Sequence, residues 1–218
     1  SSAKTNFCLI GQSQDGVIIN AAAYSGDANG STTSTCQTME VLANDFYAEN
    51  ITVKNSAGMN VGQAVALKDY GDRNAYYNVK LLGYQDTHLT GNGRQYYQQS
   101  QINGTVDFIF GGGDVFFDRC LLYLEDRSNN VIVAPSTKAD TQWGYVFNHC
   151  TIDGAAINNN GFSLGRPWQN APRAVYINTQ MNVLPNAAGW TNMSTVPALF
   201  AEYNSINKNG SAIDLNNR

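Results

Sequence analysis

Five short segments of this chain repeat one pattern, and the distance between the copies leaves few folds open. Glu49-Asn50-Ile51-Thr52-Val53, Tyr77-Asn78-Val79-Lys80-Leu81, Asp118-Arg119-Cys120-Leu121-Leu122 and Asn148-His149-Cys150-Thr151-Ile152 each have an aromatic residue at or just before the start. A polar residue follows, then apolar residues two apart. Ser100-Gln101-Ile102 is a degenerate copy between the second and third. Val53, Leu81, Ile102, Leu122 and Ile152 are then equivalents, and a further turn takes in Val175-Tyr176-Ile177. Successive copies stand roughly 20 to roughly 30 residues apart, a repeat length typical of solenoids. Period two within a copy is a strand signature. Copies at that distance, with Gly/Asn-rich corners between them, describe a coiled sheet whose turns stack on one another. The expectation is an all-β parallel β-helix, a single-stranded solenoid, with equivalent positions about 4.8 Å apart on neighbouring turns. An antiparallel sandwich would instead show strands every ~8–12 residues joined by two-residue Asn-Gly turns. Asn-Gly dipeptides, such as those at 29–30, 103–104, 160–161 and 209–210, do not stand between matched alternating strands.

Composition agrees. The 20 Gly and 27 Asn work against long helices, because Gly weakens a helix by about 1 kcal/mol relative to Ala and Asn prefers turns and caps. Hydrophobic residues at 43% with charged residues at 14% mark a globular chain, and 218 residues suffice for one domain over 1–218 with a sizeable core. The net charge of −4, without a basic run, argues against a nucleic-acid partner. No apolar stretch approaches the roughly 18 residues of a membrane span. A signal peptide is not visible, and both ends read as belonging to a longer protein. A monomer is expected.

The four cysteines contain no Cys-x-x-Cys pair, so a zinc ribbon or redox motif is disfavoured. Cys120 and Cys150 hold the same place in successive repeats, which predicts a disulfide, with two buried free thiols as the alternative. Around Cys8 and Cys36 the repeat is too ragged to match one with the other. Asn29, Asn50, Asn103, Asn192 and Asn209 each open an Asn-x-Ser/Thr sequon and are candidate glycosylation sites. Cysteines and sequons together predict a secreted, extracellular protein.

Certain polar residues sit where an apolar stack has no structural use for them. Gln63 heads the apolar run 64–67, Gln85 and Asp86 follow a strand, and Asp107 lies inside Thr105-Val106-Asp107-Phe108-Ile109-Phe110. The intervals 85 − 63 and 107 − 85 are both 22, one turn each. Gln63, Gln85 and Asp107 should therefore project side by side from one sheet face, with Asp86 adjacent. A buried carboxylate is costly unless paired, and the partner expected for Asp107 is Arg166, in Leu164-Gly165-Arg166-Pro167-Trp168. Ladder glutamines and a structural ion pair are the plainer readings of the single residues. The combination of amides, carboxylates, arginine and tryptophan points to chemistry.

Four ordered blocks carry a specific resemblance: Gly62-Gln63-Ala64-Val65-Ala66-Leu67, Gly83-Tyr84-Gln85-Asp86-Thr87, Gly104-Thr105-Val106-Asp107-Phe108-Ile109-Phe110-Gly111 and Leu164-Gly165-Arg166-Pro167-Trp168. In order and spacing they resemble the signature blocks of the pectin methylesterase family, over roughly residues 45–205. The resemblance implies a right-handed parallel β-helix that removes methyl groups from the C6 esters of pectin in the cell wall. It makes Asp107 the nucleophile, Asp86 the general acid and base, and Gln63 and Gln85 the oxyanion donors. Arg166 would orient Asp107, while Trp168, Phe108 and Thr87 would meet the sugar. No step requires a metal or other cofactor, and the sequence does not reveal a protein inhibitor. Two departures, His88 where Leu is usual and Gln98 where Arg is frequent, are expected to alter the groove rim.

Other chemistries find less support. Only two histidines occur, His88 and His149, and no serine sits in a Gly-x-Ser-x-Gly elbow, which disfavours a serine triad. Asp114 and Asp118 lack the spacing of a calcium loop. A pectate lyase would need a calcium-binding acidic cluster. A polygalacturonase would show Asn-Thr-Asp, Gly-His-Gly and Arg-Ile-Lys, none of which occurs. A non-catalytic carbohydrate-binding β-helix would have no use for two carboxylates beside two glutamines.

Overall fold

The structure, a computed structural model, describes residues 5–218. The chain coils into a right-handed parallel β-helix with three sheets, two of eight strands and one of six. Sheet A runs from strand Cys8–Ile10 to Leu199–Tyr203, and sheet B from Ile18–Ala21 to Ile206–Asn207. Sheet C comprises Met39–Val41, Leu67–Asp69, His88–Thr90, Ile109–Gly111, Val131–Pro135 and Ser163–Gly165. Among the described residues the only helical segment is the 3₁₀ turn Ala156–Asn158.

All five equivalents stand in one row of sheet B: Val53 beside Leu81, then Ile102, Leu122 and Ile152. The next member is Met181. Val175 belongs to the same coil but to sheet A, beside Val146. The polar residue of each of the four full copies turns out to be a corner. Asn50, Asn78, Gln99, Arg119, His149, Asn178 and Asn204 join sheet A to sheet B with φ between 49° and 55°. This left-handed conformation suits Asn because its side chain bonds locally. Stacked corners also bond to each other, as in Asn78 Nδ2 donating to Asn50 Oδ1 at 2.7 Å.

The aromatic residue of the pattern has a structural use as well. Tyr76, Tyr97, Phe117, Phe147 and Tyr176 occupy matched inward positions of sheet A and stack with centroids 4.4, 5.0, 4.8 and 4.4 Å apart. Each such pair adds about 0.5–1.5 kcal/mol beyond its area burial.

The expected disulfide is absent. Cys120 and Cys150 are buried free thiols, directly opposite one another, since Leu121 pairs with Thr151. Stacked side chains on parallel strands point the same way about 4.8 Å apart. A disulfide needs closer Cβ atoms, about 3.8 Å apart, and a dihedral of about 90° between the two side chains. The thiols instead lie against backbone carbonyls, Cys120 Sγ 3.5 Å from Tyr97 O and Cys150 Sγ 3.4 Å from Phe117 O.

Candidate active site

The corner from sheet B to sheet C carries two left-handed aspartates, Asp86 at φ 63° and Asp107 at φ 52°. His88 pairs with Ile109, so Asp86 and Asp107 hold equivalent positions on neighbouring turns. The equal spacing read from the sequence holds for one turn only. Gln63 bridges to Gln85, an offset of 22, whereas His88 pairs with Ile109, an offset of 21, so the second step is shorter than the first by one position. The extra residue is absorbed as a bulge in which the amides of Ala66 and Leu67 both donate to Thr87 O, at 2.8 and 3.2 Å. Asp107 is thus in step with Asp86 rather than with Gln85. Gly104 makes the tight corner before Asp107 possible, because a Cβ there would overlap Phe108 Cβ.

These residues meet in a cleft of about 260 Å³ on the outer face of sheet C. It is lined by Thr33, Gln63, Gln85, Asp86, Asp107, Phe110, Ala134, Arg166, Trp168 and Met193. Arg166 clamps Asp107 through both oxygens, Nε to Oδ1 at 2.8 Å and Nη2 to Oδ2 at 2.6 Å. The guanidinium is positioned by its own backbone amide, which donates to Val133 O at 3.0 Å as the strand Ser163–Gly165 ends.

The two carboxyl groups differ electrically. Burial pushes the Asp86 pKa up to about 8, the charge of Asp107 adds to this, and Arg166 opposes it. Burial also raises Asp107, but there the two hydrogen bonds and the charge of Arg166 pull the other way. The net direction for Asp107 is still upward, but the clamped carboxyl is the more readily ionised of the two, and its neighbour the one that keeps a proton. Among the described residues no three His, Cys, Asp or Glu side chains are grouped to hold a metal ion.

Two expected sugar contacts are corrected. Phe108 is fully buried in the core. Reading 105–110 as one continuous strand overlooks the left-handed turn at Asp107, which breaks the alternation. Phe110 takes the outward place instead, packed on Trp168 with centroids 5.9 Å apart. Thr87 is also fully buried, its hydroxyl donating to Asn103 O at 2.9 Å. Neither departure touches the rim. His88 is buried inside the coil against Tyr97, and Gln98 lies on sheet A, 3.5 Å from Asp118. Asp114 and Asp118 are tied to the next turn, accepting from Gly144 N at 2.9 Å and Asn148 Nδ2 at 3.1 Å.

Sequence reasoning missed Thr33, Phe110, Ala134 and Met193. Outward alternation from Gly111 could have found Phe110. Thr33 and Met193 come from loops that carry no periodic signal. Beyond Trp168 the cleft continues into a groove of about 500 Å³ along Tyr70, Leu89, Asn92, Gly111 and Ser136.

Fold and cleft together define a right-handed parallel β-helix protein with a paired-aspartate cleft on one sheet face. The chain belongs to the pectinesterase family, whose members are carboxylic ester hydrolases; the family model described as Pectinesterase matches residues 1–218. It is 38% identical over 179 residues to Pectinesterase 31 of Arabidopsis thaliana, covering 80% of this chain and 56% of that protein. The pectin methylesterase of Aspergillus niger in deglycosylated form superposes with a TM-score of 0.86 at 31% identity, over 97% of this chain and 72% of that one. A pectin methylesterase solved in complex with a hexasaccharide gives a TM-score of 0.81 at 26% identity, over 98% of this chain and 79% of that one. The chain spans about half the length of the curated relatives it matches.

Proposed function

We propose that this chain is the catalytic body of a pectin methylesterase that hydrolyses C6 methyl esters of homogalacturonan to methanol and pectate, acting outside the cell on wall pectin. The observation that carries the reading is the asymmetry of the aspartate pair. One carboxyl is favoured in its ionised form by a two-point guanidinium clamp at 2.8 and 2.6 Å. Its neighbour, with a pKa of about 8, holds a proton at neutral pH. An acyl transfer without serine or cysteine requires these two states side by side.

In this reading an Asp107 oxygen attacks the C6 carbonyl. The side-chain amides of Gln63 and Gln85 donate to the oxyanion as it forms. Asp86 gives its proton to the departing methoxide, which leaves as methanol, and an anhydride joins Asp107 to the sugar. Asp86, now ionised, takes a proton from a water whose oxygen attacks the anhydride, releasing the galacturonate and restoring both aspartates. Trp168, backed by the buried ring of Phe110, offers aromatic surface to the sugar ring. The groove past Trp168 suits a polymeric substrate, in keeping with the oligosaccharide complex of a relative. Export from the cell rests on the exposed sequons alone, since the cysteines are unpaired.

The test is methanol release from highly methylated pectin. Asp107→Asn and Asp86→Asn should each abolish it, and Gln85→Ala should lower turnover by about 10²–10³. Near-normal release by Asp107→Asn would end the nucleophile assignment.

A further inference from the structure

The sequons that the proposed chemistry leaves unused are not equivalent in the structure. Asn103 is buried, with its Nδ2 donating to Glu125 Oε1 at 2.8 Å and its Oδ1 accepting from Gln101 Nε2 at 2.8 Å. Asn50 is a corner residue, its Nδ2 3.3 Å from Glu49 Oε1 and its Oδ1 bonded to Asn78. A glycan on either would break a contact of the coil. Asn29, Asn192 and Asn209 are exposed.

Asn192 differs from the other two by its place. Its chain neighbour Met193 is 41% exposed and lines the aspartate cleft. The segment is fixed against the strand that delivers Arg166, with Thr191 N donating to Gly165 O and Ser194 N to Pro167 O, both at 3.1 Å. A side chain on residue 192 therefore stands about 4 Å along the backbone from a residue of the cleft wall, on a loop tied at both ends.

We propose that Asn192 is an N-glycosylation site and that its glycan limits access of long polymer to the cleft while leaving short substrates unaffected. The co-reactant is a lipid-diphosphate-linked oligosaccharide of a eukaryotic secretory pathway. Asn192 Nδ2 forms a bond to the sugar C1, the C1–O bond to the lipid diphosphate breaks, and the amide loses one proton. The attached group is bulky and hydrophilic, and it sits beside the opening through which a polysaccharide must be laid. A galacturonate trimer spans less of the cleft mouth and meets it less. The occupancy claim rests on the export proposed above but not on the esterase chemistry; the effect on polymer rests on both.

The experiment uses the full chain secreted from a eukaryotic host, with Ser194→Ala and Asn209→Gln as variants. Enzymatic deglycosylation in heavy-oxygen water marks each occupied asparagine as labelled aspartate, read by peptide mass spectrometry. Label at Asn192 and none at Asn103 is expected. Ser194→Ala should then show a several-fold higher kcat/KM on methylated pectin and tighter pectin binding, with an unchanged kcat/KM on a methylated galacturonate trimer. Asn209→Gln should change neither. Absence of label at Asn192 in protein labelled at Asn29 or Asn209 overturns the site. Label at Asn192 with equal polymer binding and an equal polymer-to-trimer ratio in Ser194→Ala overturns the effect. Should no protein release methanol from either substrate, the esterase reading fails, while occupancy and pectin binding still decide this proposal.

Discussion

Replacing Arg166 by Gln isolates what the guanidinium clamp does. The native pair makes two charge-assisted bonds, at 2.8 and 2.6 Å, to a carboxylate whose side chain is 10% exposed. Bonds of this kind contribute about 1.5–3 kcal/mol each. Gln keeps one neutral donor, so the loss should be about 3 kcal/mol, which is about 10²-fold in kcat/KM at about 1.36 kcal/mol per decade. The pH profile should move as well. Burial already raises Asp107, and Arg166 is what opposes that rise. Without it the carboxyl ionises at higher pH, and the acid limb shifts alkaline. Arg166 also lowers Asp86, whose pKa of about 8 should set the alkaline limb under the proposed mechanism, so that limb should shift the same way. Methanol release measured across pH, on protein shown to be folded by circular dichroism, reads both effects. A variant with a hundredfold loss but unmoved limbs would refute the electrostatic account and leave Arg166 a packing residue.

Other consequences are open to measurement. Asp86 binds its proton more tightly when folded, about 8 against 3.8, so stability should fall as pH rises through that window. Asp86→Asn should relieve this by up to about 5 kcal/mol at pH 8, seen as a higher Tm; an unchanged Tm would show that the carboxyl is not buried neutral. His88 is the opposite case, lowered to about 4 from 6.5 by burial. Its contribution is therefore fully present above pH 6.5 and lost as pH falls toward 4. His88→Leu should flatten the Tm profile below pH 6, and an equally steep profile would place the acid sensitivity elsewhere. Alkylation of the denatured, unreduced protein should label Cys120 and Cys150 separately; a cross-linked peptide would contradict the free-thiol packing. Gly104→Ala should cost more than about 2 kcal/mol, because its Cβ would overlap Phe108 Cβ, and a Tm near that of the native chain would sink that reasoning.

The row Val53, Leu81, Ile102, Leu122 and Ile152 was legible because period-two burial repeats wherever turns stack, whatever the loop between them. The cluster of Asp86, Asp107, Gln63, Gln85 and Arg166 was legible because each is a polar residue at a costly position. Orientation was harder. Whether Phe108 or Phe110 faces outward depends on one backbone dihedral at Asp107, φ 52°, and strand alternation cannot register a left-handed residue. Cys120 and Cys150 are opposite as their repeat positions imply, yet opposition on parallel strands gives parallel side chains. Thr33 and Met193 reach the cleft from loops, where no period operates.

The left-handed corners connect fold and chemistry. Asn fills such corners between sheets A and B because its side chain bonds locally and tolerates positive φ. Asp shares that tolerance, so at the next corner the coil can carry a carboxyl group at little backbone cost. Two consecutive turns then bring two carboxyls together at a spacing fixed by the sheet, and burial beside each other forces their pKa values apart once Arg166 claims one of them. The stack could not separate these groups without breaking its hydrogen bonds: Asp86 N donates to Val106 O at 3.1 Å and His88 N to Phe108 O at 2.9 Å. Lengthening the corner should therefore be more damaging than altering it. A glycine inserted between Val106 and Asp107 would shift the second carboxyl out of step with Asp86 while leaving both side chains intact. Methanol release should then vanish in a protein that keeps its β-sheet spectrum, and retained activity would show that the register of the two turns does not set the site.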